Sequence, residues 1–237
     1  MKQVLIKRGQ AIVAIVPSPK VNDDTILVQV KCSCISIGTE MAGVRNSGIP
    51  LWKKALEQPE KVKKVFSMAM KEGLGKTKEI VRGKLEAGSP TGYSAAGVVV
   101  AVGKNIRDIK VGDKVACAGA QCAHHAEVIS VPRNLAVLIP DGVSYGEAAP
   151  VTLGSIAMQG VRRANTTLGE CFVVIGLGVI GQITVQLLKA SGCKVIASDL
   201  DKSRIEMAMK HGADMGLHPD DGVDVEQVYR LTGGIGA

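Results

Sequence analysis

Chemistry is most densely written between residues 171 and 201, which read CFVVIGLGVIGQITVQLLKASGCKVIASDLD. Three glycines, Gly176, Gly178 and Gly181, stand in the spacing G-x-G-x-x-G. Alone, that spacing says little. Here an apolar strand pattern precedes it, an apolar helical pattern follows it, and a second strand pattern ends in Asp199, 23 residues after Gly176. In that setting the pattern fits a loop that cradles a pyrophosphate. Gly176 permits the tight turn, Gly178 lets backbone approach phosphate, and Gly181 lets the helix close on the strand. The N-terminus of the helix adds free N–H groups and positive dipole. The run Gly176, Leu177, Gly178, Val179, Ile180 and Gly181 is therefore the expected cofactor-binding loop. Asp199 would accept hydrogen bonds from ribose hydroxyls and repel a 2′-phosphate, which favours NAD over NADP. Lys202 and Arg204 nearby keep NADP as the lesser alternative, and a glycine turn that binds no nucleotide is the competing structural reading.

Sulfur and histidine offer a second kind of chemistry. Cys32 and Cys34 lie in KCSCISIGTE, and Cys117 and Cys122 in CAGAQCAHH, which ends in His124 and His125. At strand period, Ile26, Val28, Val30, Cys32 and Cys34 share one face, so both cysteines are expected to be small apolar core residues. In CAGAQCAHH the cysteine spacing is at the edge of the zinc-site range, and adjacent histidines on a strand point to opposite faces. No metal is expected there. A nucleophilic or redox Cys–His pair is not expected either, because no third group to orient it is evident.

These residues need elements to hold them. The chain has 237 residues, 46% hydrophobic and 22% charged, which suits one or two globular domains. With 28 glycines and only 3% aromatics, it favours close helix–sheet packing over an aromatic recognition surface. Strands are expected at Val4–Ile6, Ala11–Val16 and Ile26–Cys34, then through GYSAAGVVVAVG, VGDKVACAG and HHAEVISV, with frequent glycine turns: a small barrel-like β domain. Between them, residues 51–87 change to Lys- and Glu-rich sequence with Val62, Val65, Phe66, Ala69 and Met70 at helical spacing, a helical insert broken at Pro59 and Gly73–Gly75. From about 145 the pattern becomes helix, then Cys171–Ile175, Val179–Ala190, Lys194–Asp199, Lys202–His211, a short strand at Asp214–Leu217 and a helix at Val225–Leu231. That alternation predicts a parallel sheet with crossover helices. Only three of the six strands of a full dinucleotide fold can be counted before the sequence ends in TGGIGA, so a truncated chain is expected.

Net charge is +7, and residues 51–90 hold ten Lys or Arg against five Glu. A basic segment of this kind is either a solvated helical face or a site for an anionic partner. Six cysteines in a chain too long to need disulfide staples suggest reduced thiols and a cytoplasmic protein. No apolar run approaches a membrane span, and Ala11–Val16 ending at Pro17 is a poor signal peptide.

With GTE at 38–40, GYSAAGVVVAVG, VGDKV, VVIGLGVIG and VIASDLD in this order, the chain resembles the medium-chain dehydrogenase/reductase superfamily, the zinc-type alcohol dehydrogenases and their zinc-free relatives. The insert at 51–87 is similar to a zinc-free branch of bacterial surface-polysaccharide clusters, some of whose members carry a second oxidoreductase domain. The resemblance implies a mixed β and α/β fold: a GroES-like β-barrel catalytic domain at 1–150, then the N-terminal half of a Rossmann domain at 151–237. It also implies an NAD(P)-dependent oxidoreductase. The zinc ligands of the family fall on Ile37, Tyr93, with Ser94 as the neighbouring glutamate, and, by a looser alignment, Thr152, which is counted among the cofactor-binding residues. Ile37 cannot bind zinc and the others are poor ligands, so no zinc is expected. Thr39 matches the family's proton-relaying hydroxyl, Glu40 its acidic neighbour, and Tyr93 replaces a ligand and could act as general acid; these three are the expected catalytic residues.

The implied partner is a small alcohol or carbonyl substrate, anionic or a sugar-nucleotide if the basic insert serves as a lid. No nucleic acid and no membrane are expected, and a homo-oligomer is expected of the complete protein. Two alternatives remain open at this point. One is a zinc-free NADPH-dependent quinone or enoyl reductase. The other is a nucleotide-binding remnant without turnover.

Overall fold

The computed structural model describes residues 1–50, 87–221 and 225–237 continuously, with scattered positions between 51 and 86. The expected helical insert, including most of its lysines, lies largely outside the described residues. The chain divides into two compact units, Met1–Val151 and Thr152–Ala237.

The first unit is built on two antiparallel sheets. Strands β3 (Thr25–Ser33), β5 (Ser94–Val102), β6 (Lys114–Ala118), β7 (Val128–Pro132) and β8 (Ala136–Leu138) form a five-stranded sheet in the order β7-β3-β5-β6-β8. A smaller sheet holds β1 (Lys2–Lys7), β2 (Gln10–Ile15) and β4 (Ser89–Pro90) in the order β2-β1-β4. Helix α1 (Ile37–Gly48) follows β3, and a single turn, α2 (Tyr145–Ala148), ends the unit. The alternation of Ile26, Val28, Ala95, Val99, Val115, Cys117, Ile129 and Val131 puts one face of the large sheet into a dry core. Each Val or Ile side chain among these contributes roughly 1.5–3 kcal/mol through burial. The opposite face carries Ala96 and Ala116, small enough for Ala148 and Ala149 to pack directly on them.

A single extra residue changes what the end of β3 presents. Pairing with β5 runs Val30↔Gly97 and then Cys32↔Ala96, so Lys31 is a bulge. Period-two alternation breaks there. Cys32 consequently leaves the face of Ile26 and Val28 and packs, with Cys34, against the Ala96–Ala116 cluster. The expectation of one continuous face from Ile26 to Cys34 is thus corrected. Both cysteines remain packing residues, half-buried on the other side. The residue the bulge brings onto the Ala95 side is Ser33. Likewise HHAEVISV is a strand only from Val128; His124 to Glu127 are irregular backbone, joined to β1 through Val4 N donating to His125 O at 2.8 Å and the bridge Gln3↔Ala126.

The second unit holds a parallel sheet of β9 (Cys171–Ile175), β10 (Lys194–Ser198) and β11 (Met215–Leu217), in the order β11-β10-β9. Helices α3 (Val151–Arg163), α4 (Val179–Ala190), α5 (Lys202–Lys210) and α6 (Val225–Leu231) accompany it. Val185, Leu188, Val195, Ala197 and Ala208 close the core between helices and sheet. Among the described residues β9 is an edge strand, and Ile175 at its end is exposed.

Candidate functional site

The glycine loop joins β9 to α4, and each glycine meets a different constraint. Gly176 has φ +89°, a left-handed conformation that favours glycine. A Cβ on Gly181 would stand 2.0 Å from Gly176 O, so helix and turn touch backbone to backbone. A Cβ on Gly178 would meet nothing within 4 Å; it faces open space at the N-cap of α4. No side chain caps that helix end and no acidic residue stands in its first turn, which leaves its N–H groups and dipole available to an anion. Val179 and Ile180 are exposed at the mouth of the loop.

Leu177 is the anchor. Its side chain is buried in the core, its N–H donates to Asp199 Oδ2 at 2.6 Å, and its C=O accepts from Gln182 Nε2 at 3.2 Å. Asp199 Oδ1 accepts from Asp201 N at 2.9 Å, and Arg204 Nη1 lies 3.7 Å from Oδ2. Burial pushes the Asp199 carboxyl up, but the Leu177 and Asp201 N–H groups and the Arg204 guanidinium outweigh it and hold it below the usual carboxylate range. An ionised carboxylate offers about four lone-pair positions. The N–H groups of Leu177 and Asp201, with Leu200 N–H adding to them, take up most of these; a ribose hydroxyl would have to reach what is left of a side chain that is 8% exposed. Thr152 stands half-buried in the first turn of α3, on a different element from the loop.

In the first unit, Thr39 and Glu40 both lie in the opening turn of α1. Thr39 is exposed, its Oγ1 3.5 Å from Ser36 Oγ. Glu40 turns inward: Oε1 accepts from Ser36 N at 2.9 Å, while Oε2 meets His125 Nε2 at 3.0 Å and accepts from Thr91 Oγ1 at 3.3 Å. The other ring nitrogen of His125, Nδ1, is 2.8 Å from Ser33 Oγ. With Glu40 ionised, Nε2 must carry hydrogen. In the neutral ring Nδ1 then accepts from the Ser33 hydroxyl; in the imidazolium it donates to it. Both protonation states are satisfied, so the chain Ser33–His125–Glu40 can carry a proton without stranding a polar atom. Gly92 makes the packing possible, since a Cβ there would stand 2.7 Å from His125 N.

His125 escaped the sequence reading, which found no orienting group for it. Its partners lie 85 and 92 residues away, and only the GTE motif hinted at one of them. Tyr93 is half-buried immediately before β5, with its C=O accepting from Gly119 N. Ile37 is exposed, and Ser94 is fully buried with its hydroxyl donated to Ala149 O at 2.6 Å. Among the described residues no group of three or more His, Cys, Asp or Glu converges as a metal site. His124 turns to Ala120 O instead. The cysteines are free thiols, and burial pushes Cys117 up to about 12, with neighbouring Cys122 adding to it. No described helix is long and apolar enough to cross a membrane.

Comparison with known proteins agrees with this geometry. The zinc-binding dehydrogenase family matches residues 179–237. D-guloside 3-dehydrogenase of Shigella flexneri is 36% identical over 148 residues, covering 62% of this chain and 42% of that enzyme. Sorbitol dehydrogenase of Bombyx mori is 25% identical over 251 residues, covering 92% of this chain and 63% of that enzyme. The chain thus spans less than two thirds of the length of these relatives. In fold it is similar to Escherichia coli quinone oxidoreductase complexed with NADPH, at TM-score 0.74 and 20% identity over 99% of this chain and 63% of that one. It is also similar to E. coli galactitol-1-phosphate dehydrogenase, at TM-score 0.75 and 18% identity over 98% and 65%. Those neighbours show the fold, a GroES-like antiparallel unit followed by a Rossmann-type parallel one. Residues 179–237 thus carry the zinc-binding dehydrogenase match, and the chain as a whole is similar to dehydrogenases of the medium-chain dehydrogenase/reductase type.

Proposed function

We propose that the protein is an NAD(H)-dependent oxidoreductase acting on an alcohol or carbonyl of the sugar or polyol class without catalytic zinc. The observation that carries the reading is Asp199, held inward at the end of β10 against the glycine loop, with only part of its accepting capacity left for a ribose diol. A bound nicotinamide would give or take the hydride. The chain's own residues bind and orient the dinucleotide through the open backbone at Gly178 and the α4 N-terminus.

Proton handling falls to the first unit. Thr39 offers an exposed hydroxyl in the turn that also carries Glu40. Ser33, His125 and Glu40 hold a movable proton, and Tyr93 offers a phenol as donor. Zinc does not fit the donors at the positions where the family binds it: Ile37 has none, and the Ser94 hydroxyl is committed to backbone. The named relatives act on sugars and polyols, which supports the substrate class. An anionic or sugar-nucleotide substrate rests on the basic charge of residues 51–90 alone.

A second reading, an NADPH-dependent reductase, draws on Arg204, half-exposed beside Asp199, whose guanidinium would have to leave its carboxylate partners to meet a 2′-phosphate. The test is reduction of NAD by a panel of polyols and sugars before and after exhaustive chelation. Turnover that survives chelation is expected. Turnover lost to chelation and restored by zinc would overturn the zinc-free reading, and NADH binding with no turnover on any substrate would favour a nucleotide-binding remnant.

A further inference from the structure

Gln182 is a buried polar side chain in the first turns of α4, committed to three separate partners. Its Nε2 donates to two carbonyls on two different elements: Leu177 O in the glycine loop at 3.2 Å and Arg204 O in α5 at 2.8 Å. Both carbonyls require the amide nitrogen, so Oε1 faces the other way, where His211 Nδ1 stands at 3.1 Å and must donate. His211 is the C-cap of α5. One side chain therefore holds the phosphate loop and both ends of the helix that carries Arg204.

We propose that Gln182 is a positioning residue that sets the preference for NAD(H) over NADP(H), a role that rests on the nucleotide reading above. The peptide unit around Leu177 is gripped from both sides, its N–H by Asp199 and its C=O by Gln182. Because the same amide also holds Arg204 O, the guanidinium is kept beside Asp199 and Asp201, at 3.7 Å and 3.6 Å, rather than free to meet a 2′-phosphate. His211 fixes the amide in the orientation this requires. Loss of the amide releases the first turn of α5 and, with it, the acidic pairing that discriminates against the extra phosphate.

The test is calorimetric titration of wild-type, Gln182→Leu and His211→Ala chains with NADH and NADPH, with the Tm of each. Gln182→Leu keeps the volume and removes all three hydrogen bonds. It is expected to weaken NADH about tenfold, the equivalent of one buried hydrogen bond, and to lower the ratio of the NADPH to the NADH Kd severalfold. His211→Ala, at an exposed position, is expected to move the ratio the same way by less. If both variants keep the wild-type ratio while Tm falls, Gln182 is only structural and the inference is overturned. Should Gln182→Leu fail to fold, the His211→Ala ratio decides. A wild-type chain that binds neither dinucleotide would instead remove the nucleotide reading, and this one with it.

Discussion

Two alanines, at Gly181 and at Gly178, separate what the glycine loop does for folding from what it does for binding. At Gly181 the new Cβ would lie 2.0 Å from Gly176 O and 3.0 Å from Gly176 C. An ordinary C···O contact is roughly 3.3–3.6 Å, so α4 must withdraw from a turn that is itself backbone and cannot yield. Overpacking of this kind costs about 1–3 kcal/mol, sometimes more, against a helix-propensity gain of about 1 kcal/mol. With the new Cβ 2.0 Å from backbone the cost lies at the top of that range, about 3 kcal/mol, which leaves a net destabilisation of about 2 kcal/mol. For a unit the size of Thr152–Ala237, that lowers Tm by on the order of 10 °C. At Gly178 the backbone has φ −67°, which any residue adopts, and the Cβ meets nothing within 4 Å. Gly178→Ala should therefore change stability by less than about 0.5 kcal/mol. The methyl group would nevertheless stand where pyrophosphate approaches, and NADH affinity should fall at least about tenfold. Differential scanning calorimetry and NADH titration of both variants check the pair. Wild-type Tm for Gly181→Ala, or wild-type NADH affinity for Gly178→Ala, would refute the reasoning.

Acid should unfold the second unit through Asp199 and Asp214. In Asp214, burial pushes the carboxyl up, but the Lys189 ammonium and the Val195 N–H pull it below the ordinary range. A carboxyl lowered in the fold stabilises it fully above the unfolded pKa of about 4 and loses that contribution as pH falls below it. Denaturation curves should weaken below about pH 4, and Asp214→Asn should flatten the dependence. His125→Ala removes the partner of a mostly buried Glu40 carboxylate and should destabilise the first unit by about 2–3 kcal/mol; an unchanged urea midpoint would show that the network is slack. Cys117, fully buried and pushed up to about 12, should resist alkylation at neutral pH until the protein unfolds, and rapid native-state labelling would contradict its place in the core.

The readable parts of this protein are those in which chemistry is local. Gly176, Gly178 and Gly181 each answer to neighbours a few residues away, and Asp199 is fixed by the end of the next strand. Spacing alone was enough to place them in one loop between β9 and α4, against the end of β10. Strand and helix periods were legible for the same reason, from β3 through α6. Ser33, His125 and Glu40 were not, because they meet across 85 to 92 residues and only after a bulge at Lys31 turns Ser33 toward the ring. Period-two counting through Lys31 placed Cys32 and Cys34 on the wrong face. Gln182 was invisible for a related reason: as one polar residue in an apolar helix pattern, it gains meaning only from carbonyls on the glycine loop and α5.

The most direct measurement is isothermal calorimetry of NADH and NADPH on the chain, beside its Asp199→Ala variant. NADH should bind more tightly than NADPH, and the variant should lose that preference. Tighter binding of NADPH to the wild type, or a preference unmoved by removal of the Asp199 carboxylate, would contradict the assignment of Asp199 as the ribose-recognising group.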